Sequence, residues 1–255
     1  NVEAPAPGAR GGGDAAPRRQ LRSAPMAAWK RPTKRRVRAL RDRLRELYGQ
    51  PVNEPHGHPI AELIKTVLSQ HTNDRNRDLA FDRLRERFST WEAVRDANPA
   101  AVQEAIRPAG LANQKGPRIQ AVLRQMTAER GNLDLEFLRA MPADEAMAWL
   151  TRFNGVGLKT ASIVCQFALG HPAFPVDTHI YRVSGRLGLR PEKMTVDQAH
   201  AHLGGLFTPD QYGPAHLNII RHGREVCVAR RPRCEDCHLT DLCDYYQEVV
   251  VAGGE

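Results

Sequence analysis

A lysine and an aspartate in the middle of the chain have the residue types and the spacing that amine-based nucleophilic chemistry requires. Lys159 follows the glycines Gly155 and Gly157, and Asp177 comes further along the chain. Two glycines this close together allow a tight turn that exposes backbone N–H groups, and a helix starting near residue 157 adds the free N–H groups of its first turn. Such a helix start binds anions, and a phosphate is the expected anion here. Because a positive charge in the first turn opposes the helix dipole, Lys159 suits a nucleophilic amine better than a structural role.

The length of the intervening chain allows Asp177 to return to Lys159. A helix over about residues 157–170 would be roughly 20 Å long at about 1.5 Å per residue. The next segment contains Pro172 and Pro175 and is expected to be extended, so it spans up to about 23–25 Å at about 3.3–3.6 Å per residue. Asp177 would then cap the following helix beside the lysine amine.

The same residues also have a simpler interpretation. A lysine after a Gly-x-Gly turn is commonly a solvated surface residue, and Asp177 taken alone is what an ordinary helix N-cap requires. A dinucleotide-binding turn fits the pattern less well, because no strand-like run precedes Gly155. Spacing alone leaves the catalytic and the structural interpretations of Lys159 open.

Four of the five cysteines lie close together in the last part of the chain. They follow the pattern C-x6-C-x2-C-x5-C and are Cys227, Cys234, Cys237 and Cys243. No signal peptide is visible, so disulfides are not expected, whereas a zinc ion and a four-iron cluster both accept four thiolates. The spacing leaves these two metals open. Cys165 stands alone in an apolar run and is expected to be an unreactive core residue.

The overall charge favours a polyanionic partner. The 255-residue chain carries a formal net charge of +8, from 37 Lys and Arg against 29 Asp and Glu, and this balance suits nucleic acid. Because only 6 % of the residues are aromatic, a base-stacking platform for single strands is not expected. No run of about 18 apolar residues occurs, which argues against a membrane span.

Helical periodicity dominates the chain, and no convincing alternating strand or internal repeat is found. Apolar residues at helical spacing predict helices around residues 37–48, 60–68, 79–88 and 119–126. The third of these stripes is formed by Leu79, Leu84 and Phe88. Thr195 and Gln198 have the spacing of a capping box at another helix start. The sequence therefore predicts an all-α fold.

Three blocks of residues together resemble the endonuclease III family, which are helix-hairpin-helix DNA glycosylases with a [4Fe–4S] cluster. The blocks are Gly155-Val156-Gly157-Leu158-Lys159-Thr160-Ala161, then Val176-Asp177-Thr178-His179, and then His222-Gly223-Arg224 with the four cysteines. The resemblance covers about residues 34–245, and the combination of hairpin, carboxylate and cysteine spacing is very specific.

The resemblance implies a two-lobed fold with a DNA groove between the lobes. A six-helix barrel with the helix-hairpin-helix would span residues 53–171. An iron–sulfur cluster lobe would combine residues 31–52 with residues 172–247. The Ala-, Pro-, Gly- and Arg-rich residues 1–30 are expected to be a disordered tail, and residues 248–255 a C-terminal tail.

By the same resemblance, the chain is expected to excise oxidised pyrimidines from double-stranded DNA in base-excision repair. Lys159 would attack C1′ of a flipped nucleotide, expel the base and form a Schiff base, from which β-elimination cuts the strand. Asp177 would accept the proton or stabilise the cationic sugar. The four cysteines would hold the [4Fe–4S] cluster. The expected partner is double-stranded DNA with damaged pyrimidines or abasic sites, bound by a monomeric protein, and no membrane is involved. In a bacterium the expected location is the cytoplasm, in association with the nucleoid. A nucleus or a mitochondrion is less expected.

The resemblance also implies DNA contacts beyond the catalytic pair. They are expected from Gln70, His71, Leu111, Gly155, Gly157, Thr160 and His179. Either Gln70 or His71 would fill the gap left by the flipped base, since glutamine is usual at the position of His71. Leu111 matches an apolar wedge, although plain core packing is the simpler role for a leucine. Asn154 stands where proline is usual, and Ala112 is smaller than usual beside the wedge.

Two other functions remain open at this point. A monofunctional mismatch glycosylase would resemble this chain but usually lacks the hairpin lysine, so Lys159 argues against it. A non-catalytic iron–sulfur DNA-binding module would keep the hairpin and the cluster without turnover. Borohydride trapping on lesion DNA separates these readings, because only a Schiff base is trapped.

Overall fold

The computed structural model describes residues 29–52 and 57–251. Within these ranges the chain is helical and contains no β-strand, so the predicted all-α fold is confirmed. The predicted tail over residues 1–30 lies outside the described residues up to residue 28, as do residues 252–255. No helix in the described ranges combines the length and the apolar character that a membrane crossing demands.

Eleven α-helices organise the described residues. In chain order they are α1 (Lys34–Tyr48), α2 (Pro59–Ser69), α3 (Asp74–Arg87), α4 (Trp91–Asp96), α5 (Pro99–Ala105), α6 (Ala112–Arg130), α7 (Ala143–Thr151), α8 (Leu158–Ile163), α9 (Thr178–Arg186), α10 (Val196–Gly204) and α11 (Tyr212–Glu225). Short 3-10 turns occur at Arg107–Ala109, Glu136–Ala140, Pro209–Gln211, Cys234–Asp236 and Thr240–Leu242. A final π-helical segment, Tyr246–Val251, runs past residue 247, where the C-terminal tail was predicted to begin.

Several helix starts follow from local sequence. The Thr33 hydroxyl accepts a 3.2 Å hydrogen bond from the Arg36 N–H and caps α1. Thr195 and Gln198 form the predicted capping box at α10, with both reciprocal hydrogen bonds present. Such caps satisfy N–H groups that a helix start otherwise leaves without a partner.

The predicted apolar stripe of α3 is wrong at Leu79, one of its three residues. The helix buries Ala80 and Leu84, and Phe88 packs partly buried against the same cluster from the C-cap, whereas Leu79 is 41 % exposed. Neighbouring residues point about 100° apart around a helix, so Leu79 cannot share the core-facing side with both Ala80 and Leu84. The small Ala80, rather than the larger Leu79, faces the core.

The buried apolar side chains form two clusters. The first runs from Ile60 to Ala173 and joins α2 to α8. The second joins α1 to α9, α10 and α11, and begins again at Phe174. The change of cluster between Ala173 and Phe174 lies next to the predicted lobe boundary at residue 171. The assignment of the clusters to two lobes stays a prediction.

The helix predicted over residues 157–170 is present, but its winding changes half-way. α8 continues without a break into the π-helical segment Val164–Leu169, which ends at Gly170 with a left-handed φ of 76°. The next residues have no regular secondary structure up to Asp177, and their extended conformation stays a prediction. The helix that carries Lys159 therefore belongs to the first cluster, and the helix that Asp177 caps belongs to the second.

Candidate active site

Two buried apolar residues hold the glycine turn before α8 against the core. Phe153 is 2 % exposed and Val156 is 3 % exposed, and the Val156 N–H donates to the Phe153 carbonyl at 3.0 Å. Gly155 adopts a left-handed φ of 92°, and a Cβ added there would lie 2.3 Å from Cδ of Arg118. Only glycine fits both the backbone conformation and this close approach.

Lys159 lies in the first turn of α8, immediately after this glycine turn. Gly157 occupies the N-cap and has no side chain to bond the N–H groups of the turn. These N–H groups are therefore available to an anion, as the sequence predicted. Lys159 is half-buried, whereas the Thr160 side chain is buried at 3 % exposure. Burial limits the proposed DNA contact of Thr160 to its backbone.

Asp177 caps the following helix α9. Its Oδ1 accepts a 2.7 Å hydrogen bond from the Ile180 N–H. The carboxylate is half-buried. Within the described residues no salt bridge of 4.0 Å or less joins it to Lys159. The N-cap role predicted for Asp177 is therefore present, without direct pairing to the lysine.

A buried histidine of α11 is influenced electrostatically by both candidate catalytic residues. His216 is 4 % exposed, and its Nδ1 lies 3.0 Å from the Pro175 carbonyl oxygen. Because a carbonyl only accepts, Nδ1 carries the proton and Nε2 is the acceptor. Burial lowers the pKa of His216 to about 4, with the Asp177 carboxylate raising it and the Lys159 ammonium lowering it. Both charged groups therefore lie within electrostatic reach of one neutral imidazole.

A second buried histidine, His200 of α10, contacts α8. His200 Nδ1 lies 3.1 Å from the Phe174 carbonyl oxygen and 3.3 Å from the Ser162 hydroxyl of α8. Its Nε2 has no hydrogen-bond partner among the described residues. Burial lowers the pKa of His200. Sequence reasoning missed both His200 and His216, since each looks like an ordinary helix residue until the helices pack.

Two loops of the first cluster expose the residues predicted to enter the duplex. His71 is exposed and has a left-handed φ of 53°. Gln70 is half-buried, and its Oε1 accepts a 3.0 Å hydrogen bond from Arg118 Nη1. Leu111 is 44 % exposed with a φ of 50°. The core-packing interpretation of Leu111 is therefore wrong, and its side chain is available as a wedge.

His179 is held by its own helix. Its Nδ1 lies 3.2 Å from Nη2 of Arg182, which also donates to the Gly223 carbonyl at 2.8 Å. A guanidinium only donates, so His179 Nδ1 is the acceptor of this bond. The ring is half-buried, and only its other nitrogen remains for a nucleic-acid contact.

The four C-terminal cysteines line one cavity. Cys227, Cys234, Cys237 and Cys243 are half-buried and free of disulfides. In the described part of the chain no three His, Cys, Asp or Glu side chains form a group that could hold a metal ion. Two sulfurs nevertheless have hydrogen-bond donors: Arg186 Nη1 lies 3.3 Å from Cys227 Sγ, and the Leu239 N lies 3.4 Å from Cys237 Sγ.

The fifth cysteine is separate from this group. Cys165 is fully buried in the first cluster, and burial raises its pKa to about 12. A thiol in this environment is neutral and unreactive at physiological pH. The structure therefore places Cys165 in the core, where the sequence predicted it.

The amino-acid sequence matches one protein-family model and several characterised relatives. The model of the HhH-GPD superfamily of base excision DNA repair proteins matches residues 64–209. Endonuclease III of Thermotoga maritima is 32% identical over 197 residues, which is 77% of this chain and 88% of that protein. Endonuclease III of Escherichia coli K12 is 33% identical over 210 residues, which is 82% of this chain and 95% of that protein.

Solved structures agree with these sequence relatives. A trapped endonuclease III–DNA covalent intermediate superposes with a TM-score of 0.74 at 29% identity, covering 85% of this chain and 98% of that chain. A thermostable thymine-DNA glycosylase superposes with a TM-score of 0.71, covering 84% of this chain and 98% of that chain, but at 19% identity this likeness shows the fold alone.

Proposed function

Because this chain belongs to the endonuclease III family within the HhH-GPD superfamily of base excision DNA repair proteins, we propose that it is a bifunctional enzyme. It excises oxidised pyrimidines from double-stranded DNA and then cleaves the strand through a Schiff base on Lys159. The observation that carries this proposal is the position of Lys159, half-buried in the first turn of α8 behind a glycine turn.

The glycine turn supports the first task, which is to hold the DNA backbone. The N–H groups of the first turn of α8, which no side chain of Gly157 can cap, bind a phosphate oxygen beside the damaged nucleotide. Contacts of this kind position the duplex without reading its sequence. The damaged nucleotide is flipped out of the stack, at a cost of a few kcal/mol.

Lys159 then performs the covalent chemistry. Its neutral amine forms a bond to C1′ while the bond from C1′ to the base breaks, and the base leaves with the electron pair and takes up a proton. Loss of the amine protons and opening of the sugar ring give the Schiff base. Removal of a 2′ hydrogen then expels the 3′ phosphate and cuts the strand.

Asp177 and His216 support this step from the adjoining helices. The Asp177 carboxylate, fixed as the cap of α9, accepts the proton or stabilises the positive charge that develops on the sugar. His216 stays neutral at physiological pH because burial lowers its pKa to about 4. It therefore adds no positive charge near the lysine.

The cysteine-lined cavity supports a [4Fe–4S] cluster held by Cys227, Cys234, Cys237 and Cys243. The four thiols line one space, and N–H groups of Arg186 and Leu239 donate hydrogen bonds to two of the sulfurs. Once bound, the cluster would cross-link the segment after α11, and we assign it no step of the reaction.

The experiment that tests this function uses a duplex with a single thymine glycol. Released base and cut strand are measured separately over time. Base release with matching strand cleavage supports the proposal. Base release without cleavage would identify a monofunctional glycosylase, and binding without either product would identify a non-catalytic module.

A further inference from the structure

Lys115 of α6 is a buried lysine whose position the reaction does not explain. It is 2 % exposed, and lysines are rarely buried to this extent unless they have partners. Its Nζ donates to the carbonyl oxygens of Leu68 and Ala109, both at 2.8 Å. Leu68 lies in the last turn of α2, which ends at Ser69, and a positive charge there also suits the helix dipole.

Both carbonyls lie two or three residues before a loop residue with a left-handed backbone. Leu68 comes three residues before His71, and Ala109 comes two residues before Leu111. His71 and Leu111 have φ values of 53° and 50°, a region that residues other than glycine occupy only when their surroundings enforce it. One ammonium group therefore fixes the starting points of both loops.

Arg118 follows one turn later on the same helix and contacts two further parts of the site. Its Nη1 donates to Gln70 Oε1 at 3.0 Å. Its aliphatic stem lies against Gly155, so closely that a Cβ there would come within 2.3 Å of Arg118 Cδ. Arg118 thus joins the loop of Gln70 to the glycine turn that precedes Lys159.

We propose that Lys115 and Arg118 form a loop bracket, a pair of positioning residues that holds the loops of His71 and Leu111 in register with the glycine turn at Gly155. This inference rests on the proposed function, because it assigns a role within base flipping. Side chains of the two loops enter the duplex while the glycine turn binds the phosphate. The distance between the loops and the turn therefore sets how far the damaged nucleotide must move out of the stack.

The loop bracket also assigns different roles to the two candidate gap-filling residues. Gln70 is restrained, because its side-chain oxygen is bonded to Arg118. His71 is exposed on a left-handed backbone and has its side chain free of such a bond within the described residues. His71 therefore enters the gap, and Gln70 holds the loop from which it projects.

The test compares Arg118→Gln with Arg124→Gln, which removes an exposed arginine from the same helix. One substrate carries a paired oxidised pyrimidine that must be flipped, and the other carries an abasic site without a base to extrude. We expect Arg118→Gln to lower kcat/KM on the paired lesion by about tenfold or more. Its borohydride trapping rate at the abasic site should stay within about threefold of wild type. Arg124→Gln should change neither rate.

An equal loss on both substrates that Arg118→Lys restores would overturn the proposal. Arg118 would then act as a simple phosphate contact, for which a lysine is an adequate substitute. Under the proposal, Arg118→Lys does not restore the paired-lesion rate, because a lysine cannot reach Gln70 and pack along Gly155 with the same planar group.

A second measurement does not depend on turnover. The fluorescence of 2-aminopurine placed opposite an uncleavable abasic analogue increases when the protein unstacks the bases around the gap. Arg118→Gln, and Lys115→Met where it folds, should lower this signal at saturating protein, whereas Lys159→Gln should retain it. Full signal in Arg118→Gln contradicts the loop bracket. A wild-type protein that gives the signal but no trapped adduct would refute the proposed lyase reaction and leave the loop bracket intact.

Discussion

The Asp177 carboxylate accepts a 2.7 Å hydrogen bond from the Ile180 N–H and thereby starts α9, the helix that follows the Lys159 helix in the chain. One residue therefore has a structural role and a proposed catalytic role. The two roles can be separated, because an asparagine keeps the acceptor oxygen of the cap and loses only the charge.

Asp177→Asn should slow base release without unfolding the protein. We expect a loss of about 100-fold or more, the order typical of removing a positioned acid–base group. Cleavage of a ready-made abasic site should persist, because an open-chain sugar can meet the lysine amine without help in expelling a base. Single-turnover base release and the melting temperature are the measurements. Base release within a few-fold of wild type would show that the carboxylate serves only as a cap.

His216 should make the protein less stable as the pH falls. Burial lowers its pKa to about 4 in the folded state, against an ordinary value of 6.5, so the unfolded chain takes up the proton first. Its contribution is complete above about pH 6.5 and is lost progressively toward pH 4. Between about pH 7.5 and about pH 5 the loss should be roughly 2 kcal/mol of unfolding free energy.

His216→Gln tests this prediction, because glutamine can still donate to the Pro175 carbonyl but does not titrate. Urea unfolding of this variant should show a correspondingly smaller fall in stability with acid. His58→Gln is the control, since the His58 side chain is 85% exposed. An identical pH dependence in wild type and His216→Gln would show that His216 does not remain neutral in the folded protein.

Gly155→Ala should weaken DNA binding by changing the glycine turn. The new Cβ would clash with the Arg118 side chain and would be on a residue with a left-handed backbone. The turn must therefore shift, and its N–H groups no longer point at the phosphate. We expect about tenfold weaker binding to a duplex with an abasic analogue, since losing about one hydrogen bond to a charged group costs this much. Fluorescence anisotropy measures the affinity.

Gly131→Ala is the matched control for this change. Gly131 also has a left-handed φ, of 78°, but an added Cβ there meets nothing within 4 Å. It should lower stability by about 1 kcal/mol and leave DNA affinity unchanged. Equal affinities for the two variants would contradict the phosphate-binding role of the turn.

The cysteines should divide into four that hold iron and one that does not. If the cavity holds a [4Fe–4S] cluster, the purified protein is brown and carries about four irons per chain. Cys234→Ser should lose iron, whereas Cys165→Ala should keep it because Cys165 is buried in the other cluster of side chains. Colourless wild-type protein with one zinc per chain would contradict the cluster.

Local rules predicted the segment from Gly155 to Asp177 well. Glycines, prolines and an N-cap aspartate act on their own backbone neighbours, so their effects are readable in sequence. The contacts of Lys115, Arg118 and His216 were not predictable in this way. Each joins residues that are distant in sequence, such as Lys115 and Leu68 or His216 and Pro175, and such pairs become visible only once the helices are packed.

The sequence predicted where helices occur better than it predicted which side of each helix faces the core. α3 forms where an apolar stripe was expected, yet Leu79 faces outward because packing selected Ala80. Leu111 shows the opposite case. Its residue type suggests a core position, but the left-handed backbone before α6 exposes it. Residue type alone does not give orientation where a loop controls the backbone.

The most direct test of the central claim is borohydride trapping on an abasic-site duplex, followed by mass spectrometry of the reduced adduct. The wild-type protein should form a covalent adduct whose sugar remnant lies on Lys159. Lys159→Gln should form none while still binding the duplex, and Lys193→Gln, which removes an exposed lysine elsewhere, should trap at the wild-type rate. An adduct formed by Lys159→Gln at the wild-type rate, or a remnant on another amine, would show that Lys159 is not the nucleophile.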